Sequence, residues 1–311
     1  MLISLKETSL ESLSPSQVGG KALGIRWLQA QGYPVPDTWV LSTEAFDEMV
    51  RKTGIAGHIA VLESVTEGRP DWAIVEMALQ GLGMVRREIE QALRDTPLPE
   101  VVGEALNALP KNEPYWAVRS SATVEDGSTH SFAGQFRSFL SVPRSELRRA
   151  IRAVWASAFD KHVLHYRAMH MTTMPRMAVI LQPMSPITAE DRSGVAFSKS
   201  PLPGMPGILL QATYGAGVPV VDGTGGEIKC VRGSEVTTRQ QRTPHIVVSA
   251  SDGGLQELPA QDHAVLSDAE AKRLAEQVAE IAELYGGPAD VEFVWPAHGD
   301  PVFVQVRMIT S

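Results

Sequence analysis

Apolar positions recur with helical spacing in several stretches of the chain. One such stretch opens at Gly19-Gly20 and ends at Gly32, and residues 44–110 are mostly of the helical type. The longest helical pattern covers residues 145–170, where an apolar stripe lies on one face. A further helix begins at Ser267, because Ser267 and Glu270 have the spacing of a capping box ahead of periodic apolar residues.

Short apolar runs bounded by glycine and proline predict strands between and after these helices. The predicted strands are Thr38–Leu41, Tyr115–Arg119, Met177–Leu181, Ala289–Trp295 and Val302–Arg307. Residues 191–262 alternate short apolar runs with Gly and Pro, as a β-rich section does, whereas residues 120–131 have the composition of a long polar loop. From these helices and strands together we expect an α+β fold.

The last two predicted strands form a hairpin with polar residues on one face. Pairing Trp295 with Val302 places Glu292 opposite Gln305, and Arg307 then lies on the same face. Such side chains are costly to bury among apolar neighbours unless they serve a ligand. The alternative interpretation is the exposed face of an edge hairpin. A carboxylate and an amide oxygen are suited to hold Mg²⁺ between phosphates, with the arginine beside them.

Composition narrows the class of protein. The chain is 43% hydrophobic and 21% charged, which is typical of globular proteins, and its net charge of −8 argues against nucleic-acid or anionic-membrane binding. The single cysteine, Cys230, excludes an internal disulfide framework. The first ten residues are too polar for a signal peptide, and no run approaches the length of a membrane span. We therefore expect a cytoplasmic protein.

Two further segments have residues suited to phosphate binding. Gly19-Gly20-Lys21-Ala22 places glycines and a lysine at a helix start, although the spacing differs from the P-loop pattern, and a flexible helix start with a solvated lysine is the alternative. Residues 118–126, V-R-S-S-A-T-V-E-D, put Arg119 at a strand end ahead of hydroxyls, and S-F-A-G-Q follows at 131–135. A serine-rich surface loop with a paired arginine is the alternative for this segment.

These segments together resemble the ATP-binding domain of phosphoenolpyruvate synthase, pyruvate phosphate dikinase and rifampin phosphotransferase. The resemblance covers nearly the whole chain in the family's order. Its most specific part is R-S-S followed by S-F-A-G-Q. The other matching segments are V-G-G-K-A-L-G at 18–24, P-V-P-D-T-W-V-L at 34–41, L-Q-P-M at 181–184, S-G-V-A-F at 193–197, P-A-D-V-E-F at 288–293 and Q-V-R-M-I-T at 305–310.

The resemblance implies a two-lobed ATP-grasp fold with ATP in the cleft between the lobes, residues 1–180 forming the N-terminal lobe and 181–311 the C-terminal lobe. It also implies roles for individual residues. Lys21 and Arg119 would contact ATP phosphates, and Gly134 with Ser138 would cover them. The implied roles of the remaining residues are adenine binding for Gln182 and Met184, magnesium binding for Glu292 and Gln305, and contact with the transferred phosphate for Arg307.

Members of this family pass phosphate to a histidine on a mobile domain and then to a small acceptor. None of the eight histidines stands in the family's threonine–serine–histidine context. We therefore expect a phosphohistidine swivelling domain elsewhere, with AMP and phosphate as products. Direct phosphorylation of a small molecule with ADP as product is an alternative, and a non-catalytic nucleotide-binding module is another. His130 is either a phosphoryl or acceptor contact or simply a polar loop residue.

Overall fold

The computed structural model describes residues 1–64, 72–123, 136–170, 174–241, 243, 245–260 and 263–309. Within these ranges the chain forms helices and strands as follows. The α-helices are α1 (Pro15–Ala30), α2 (Thr43–Thr53), α3 (Ala56–Ser64), α4 (Trp72–Gly81), α5 (Gly83–Asp95), α6 (Glu100–Ala105), α7 (Leu147–Ser157), α8 (Lys161–His170), α9 (Val218–Val221) and α10 (Asp268–Tyr285). The strands are β1 (Leu2–Ser4), β2 (Trp39–Leu41), β3 (Tyr115–Ala122), β4 (Ser138–Pro143), β5 (Met177–Met184), β6 (Arg192–Phe197), β7 (Ile208–Tyr214), β8 (Gly226–Arg232), β9 (Glu235–Gln241), β10 (His245–Ser249), β11 (Leu255–Pro259), β12 (Ala289–Trp295) and β13 (Val302–Met308).

The chain divides into two compact units, and the first comprises Met1–Leu23 and Asp37–Met184. Its five-stranded sheet has the order β1-β2-β5-β3-β4. Strand β5 lies between β2 and β3 and is buried over most of its length, so helices pack against an apolar sheet face. Trp155 of α7 anchors this core, since its indole Nε1 donates to the carbonyl of Met177 at 3.1 Å.

The second unit comprises Gly24–Pro36 and Ser185–Ser311. A six-stranded sheet runs in the order β13-β12-β6-β7-β8-β9, and β10 and β11 form a separate hairpin. One face of the sheet packs against α10 through a core that includes Leu274, Val291 and Phe293. Because side chains alternate along a strand, the residues between these core positions project from the opposite face.

Helix α10 has the predicted ends. The Ser267 hydroxyl accepts from the Glu270 N–H, and the Glu270 carboxylate accepts from the Ser267 N–H, which confirms the capping box. Gly286 follows the helix with φ of 91°, a left-handed conformation that favours glycine. Within the described ranges, no helix is both long enough and apolar enough to cross a membrane.

One predicted helix is preceded by a further helical segment, and another is divided. The predicted helix does open after Gly19, but α1 also includes a segment from Pro15, and the two parts meet at a break at Gly19. The pattern over 145–170 is two helices, α7 and α8, separated at residues 158–160. At this break the buried Ser157 hydroxyl donates to the Val154 carbonyl at 2.7 Å, which competes with the helical hydrogen bonds. The apolar stripe continues across the break, so the hydrophobic pattern gives no sign that the helix is divided.

The predicted end of the strand that begins at Tyr115, β3, is also wrong. Strand β3 continues past Arg119 to Ala122, because Ser120 and Ser121 pair with Val179 and Ala178 of β5. The first residues of the predicted polar loop are therefore strand residues. The rest of that loop, from residue 124, lies outside the described residues. Pairing with β5 thus extends the strand through these two serines.

Candidate functional site

In the first unit, the predicted phosphate-binding residues lie where β3 passes the break in α1. Lys21 and Arg119 each expose only 8% of their surface. The Lys21 ammonium donates to the Ser120 hydroxyl at 3.2 Å. A buried cation has lost part of its hydration. Charge-assisted hydrogen bonds to an anionic ligand can compensate for that loss.

Ser138, the first residue of β4, lies beside Arg119 of β3. The two residues are register partners across β3 and β4, and Ser138 is exposed whereas Arg119 is buried. Gly134, which is predicted to cover the phosphates together with Ser138, and His130 both lie outside the described residues. The structure thus pairs two of the predicted residues in the first unit at one position of the sheet.

Gln182 and Met184 occupy the end of β5. The buried Gln182 side chain donates from Nε2 to the Thr38 hydroxyl at 3.0 Å, which ties β5 to the segment before β2. The Ser141 N–H donates to the Met184 sulfur at 3.2 Å. Ser141 has φ of 54°, in the left-handed region that is uncommon for residues other than glycine. The backbone of 182–184 pairs with Tyr115–Ala117 of β3.

In the second unit, a patch of four polar side chains lies on the β12–β13 hairpin. Glu292 is directly opposite Gln305, and Asp290 is directly opposite Arg307. Directly opposite residues share a sheet face, and this face is the one turned away from α10. The predicted pairing of Glu292 with Gln305 is confirmed. We call these four residues the hairpin polar face.

The predicted register at the loop end of this hairpin is wrong. Val294, not Trp295, pairs with Val302, and the register shifts by a β-bulge between Glu292 and Phe293. The additional residue on β13 is Val304, which restores the pairing of Glu292 with Gln305. Strand β12 pairs with β6 on its other side, whereas β13 is the edge strand of the sheet. Gln305 of β13 is nevertheless only 4% exposed.

Asp290 belongs to the hairpin polar face but was not among the predicted site residues. It accepts a hydrogen bond from Arg307 Nε at 2.8 Å and another from Nη2 of the same guanidinium. Burial raises the pKa of the Asp290 carboxyl above its usual range, the Arg307 charge opposes the rise, and the neighbouring Glu292 charge adds to it. Its position two residues before Glu292 was the available signal, since i and i+2 share a strand face.

The donor atoms of the hairpin polar face fit Mg²⁺. Glu292 and Gln305 offer a carboxylate and an amide oxygen at one register position. The described residues, the hairpin polar face included, contain no group of three or more His, Cys, Asp or Glu side chains placed to hold a metal. Mg²⁺ typically takes one or two protein oxygens and completes its octahedron with phosphates and water. Two oxygen ligands facing each other match that requirement.

Comparison with known proteins identifies relatives of this chain. Residues 15–311 match the family model described as "Pyruvate phosphate dikinase, AMP/ATP-binding domain". A "Probable phosphoenolpyruvate synthase" of Methanothermobacter thermautotrophicus is 31% identical over 94% of this chain and 44% of its own length. The "Rifampicin phosphotransferase" of Streptomyces sviceus is 32% identical over 97% of this chain and 35% of its own. The "Prodigiosin synthesizing transferase PigC" of Serratia marcescens is 30% identical over 97% and 32%, respectively.

The chain spans less than half the length of each of these three relatives. The family match, by contrast, covers all of the segments that carry the candidate site, from the break in α1 to the hairpin polar face. Its fold is of the ATP-grasp type, α+β in class, in agreement with the mixed helices and sheets described above. The chain therefore belongs to the AMP/ATP-binding domain family of pyruvate phosphate dikinase.

Proposed function

We propose that this chain binds Mg–ATP and transfers phosphate from it to a histidine on a separate domain or chain, with AMP and phosphate as products. The observation that carries the proposal is the hairpin polar face. It combines two oxygen ligands at one register position with an arginine anchored by a buried aspartate. Phosphoryl transfer is catalysed mainly by positioning and charge neutralisation, and these residues supply both.

Each residue of the candidate site has a proposed task. Glu292 and Gln305 would hold Mg²⁺, and a Mg²⁺ ion bound there would offset negative charge on the phosphates. Arg307 would donate hydrogen bonds to the phosphate being transferred. Lys21 and Arg119 would bind the other phosphate oxygens as buried cations.

The remaining predicted residues complete the nucleotide site. The backbone of residues 182–184 would bind adenine, held by the contacts of Gln182 with Thr38 and of Met184 with Ser141. Gly134 and Ser138 would cover the phosphates. We further propose that the predicted lobes, 1–180 and 181–311, are the two lobes of the ATP-grasp fold. A cytoplasmic location suits a protein whose single cysteine, Cys230, is a buried thiol.

Analysis of the cleaved nucleotide tests the proposal. The chain is incubated with Mg²⁺ and ATP labelled at the β or γ position, with and without a phosphohistidine-domain protein of this family. We expect binding without the partner and AMP only with it. ADP as the sole product with a small-molecule acceptor would instead support the direct kinase. Binding of ATP with no product under any condition would support the non-catalytic module.

His130 offers a separate outcome of the same experiment. A phosphoryl group on this histidine would appear as acid-labile label on the chain without any partner. Replacing His130 with Ala would remove that label while leaving Mg–ATP binding in place. Label that persists in the His130→Ala variant would exclude this histidine as the acceptor.

A further inference from the structure

Ser121 of β3 contacts two backbone groups of α1. Its hydroxyl donates to the Val18 carbonyl at 2.7 Å and accepts from the Ala22 N–H at 3.2 Å. In an unbroken α-helix, this N–H and this carbonyl, four residues apart, would bond to each other. The serine hydroxyl thus occupies the position between the donor and the acceptor of one helical turn.

Gly19 makes room for this hydroxyl. Its φ of 75° and ψ of 167° lie in a region that is essentially restricted to glycine. A Cβ on Gly19 would lie 2.3 Å from the Ser121 carbonyl oxygen and 2.4 Å from its hydroxyl oxygen. The break in α1 and the insertion of Ser121 therefore depend on each other.

Lys21 lies within the turn that Ser121 holds. It is one residue before Ala22, and its ammonium donates to the adjacent strand residue, Ser120. Two consecutive serines of β3 thus fix the lysine at both ends, Ser121 through the helix backbone and Ser120 through the side chain. A long, flexible lysine side chain would otherwise lose considerable rotamer entropy on binding a phosphate.

We propose that Ser121 is a positioning residue for nucleotide binding, acting through the orientation of Lys21. The expected effect of Ser121 on ATP binding rests on the proposed function. The expected effect of Ser121 on the orientation of Lys21 does not. Ser121 is fully buried, and its hydroxyl uses one donor and one acceptor position on α1. It therefore acts without touching the nucleotide. These two hydrogen bonds give a physical reason for a serine at the third position of the R-S-S segment.

A double-variant cycle tests the inference. We expect Ser121→Ala to weaken Mg–ATP binding by about tenfold, the loss associated with roughly one misplaced charged hydrogen bond. In a Lys21→Ala background, the same replacement should change the Kd by less than about twofold, because coupled residues are non-additive. An unchanged Kd for Ser121→Ala, or an equal loss in both backgrounds, would overturn the inference.

A second measurement is independent of ATP. The rate at which an amine-selective reagent labels Lys21, followed by peptide mass spectrometry, should rise several-fold in unliganded Ser121→Ala. Ser121→Cys, which keeps a weak donor and acceptor of similar size, should give an intermediate rate and serves if the alanine variant does not fold. Unchanged labelling in both variants would overturn the inference. Failure of the unmutated chain to bind ATP, with Lys21 labelling still raised, would reject the proposed function alone.

Gly54→Ala is the matched control. Gly54 has φ of 69°, close to that of Gly19, but nothing lies within 4 Å of a Cβ placed on it. Gly54→Ala should lower stability through backbone strain without changing Lys21 labelling or the Kd for Mg–ATP. Gly19→Ala should change both. Equal effects of the two glycine replacements on labelling would show that general destabilisation, not the break in α1, controls Lys21.

Discussion

Asp290 and Arg307 form an ion pair across β12 and β13, in which the carboxylate receives two hydrogen bonds from one guanidinium. Asp290 is 4% exposed, so its charge depends on Arg307 for compensation. The pair lies next to Glu292 and Gln305 on the same face. The arginine proposed to contact the transferred phosphate is thereby held in a fixed orientation beside the proposed metal ligands.

Replacing Arg307 with Met should destabilise the protein more than replacing both members of the pair. The single variant leaves a buried carboxylate uncompensated, and we expect the free energy of unfolding to fall by about 3 kcal/mol. Asp290→Asn combined with Arg307→Met should recover much of this loss, because the neutral amide costs less to bury. Urea unfolding of both variants measures the difference. Equal destabilisation would contradict the explanation that the lone buried carboxylate causes the loss.

Glu292→Ala is expected to abolish turnover while the fold remains intact. The variant lacks a proposed Mg²⁺ ligand, so phosphate charge is poorly neutralised during transfer. The measurement is AMP formation in the presence of the phosphohistidine-domain protein, with circular dichroism to check the fold. Glu276→Ala, at an exposed position on α10, is the control and should retain full activity. Retention of most activity in Glu292→Ala would remove Glu292 from the proposed site.

Lys21→Ala and Arg119→Ala should largely remove the stabilisation that Mg–ATP gives to the native protein. Ligand at roughly a hundredfold excess over its Kd stabilises by about 2.7 kcal/mol, which thermal unfolding detects as a rise in Tm. Lys6→Ala and Arg87→Ala, at exposed positions in the same unit, should keep the full rise in Tm. If the unmutated protein shows no rise with Mg–ATP, the nucleotide-binding assignment is wrong.

Glu270→Gln should destabilise the protein at neutral pH but not in acid. Burial raises the pKa of this carboxyl, but hydrogen bonds from Arg192 and Ser267 outweigh burial and hold the pKa below its usual range. The ionised carboxylate therefore contributes stability above its unfolded-state pKa, and this contribution disappears as the pH falls through the lower folded-state pKa. At neutral pH we expect a loss of about 1 kcal/mol, typical of a helix cap.

The test of Glu270 is the difference in unfolding free energy between the variant and the unmutated protein, measured from neutral pH to about pH 3, below the usual pKa of a glutamate. The difference should narrow as the pH falls. Glu276→Gln, on the exposed face of the same helix, should give no such pH dependence. A difference that stays constant with pH would show that the Glu270 charge does not stabilise the cap.

Several features followed from the sequence because they depend on neighbouring residues. Alternation and turn residues predicted the two strands of the last hairpin, and the spacing of Ser267 and Glu270 predicted the start of α10. The opposition of Glu292 and Gln305 also followed from strand periodicity. The order of the matched segments along the chain identified the family, since order is a property of the sequence itself.

Other features were decided by contacts between residues far apart in the chain. The end of β3 depends on pairing with β5, and the extra residue Val304 fixes the register that the predicted pairing of Trp295 with Val302 missed. The break at Gly19 depends on Ser121, which is separated from Val18 by 103 positions. Local propensity does not report which backbone group a distant side chain will reach, because that geometry exists only once the sheet has assembled.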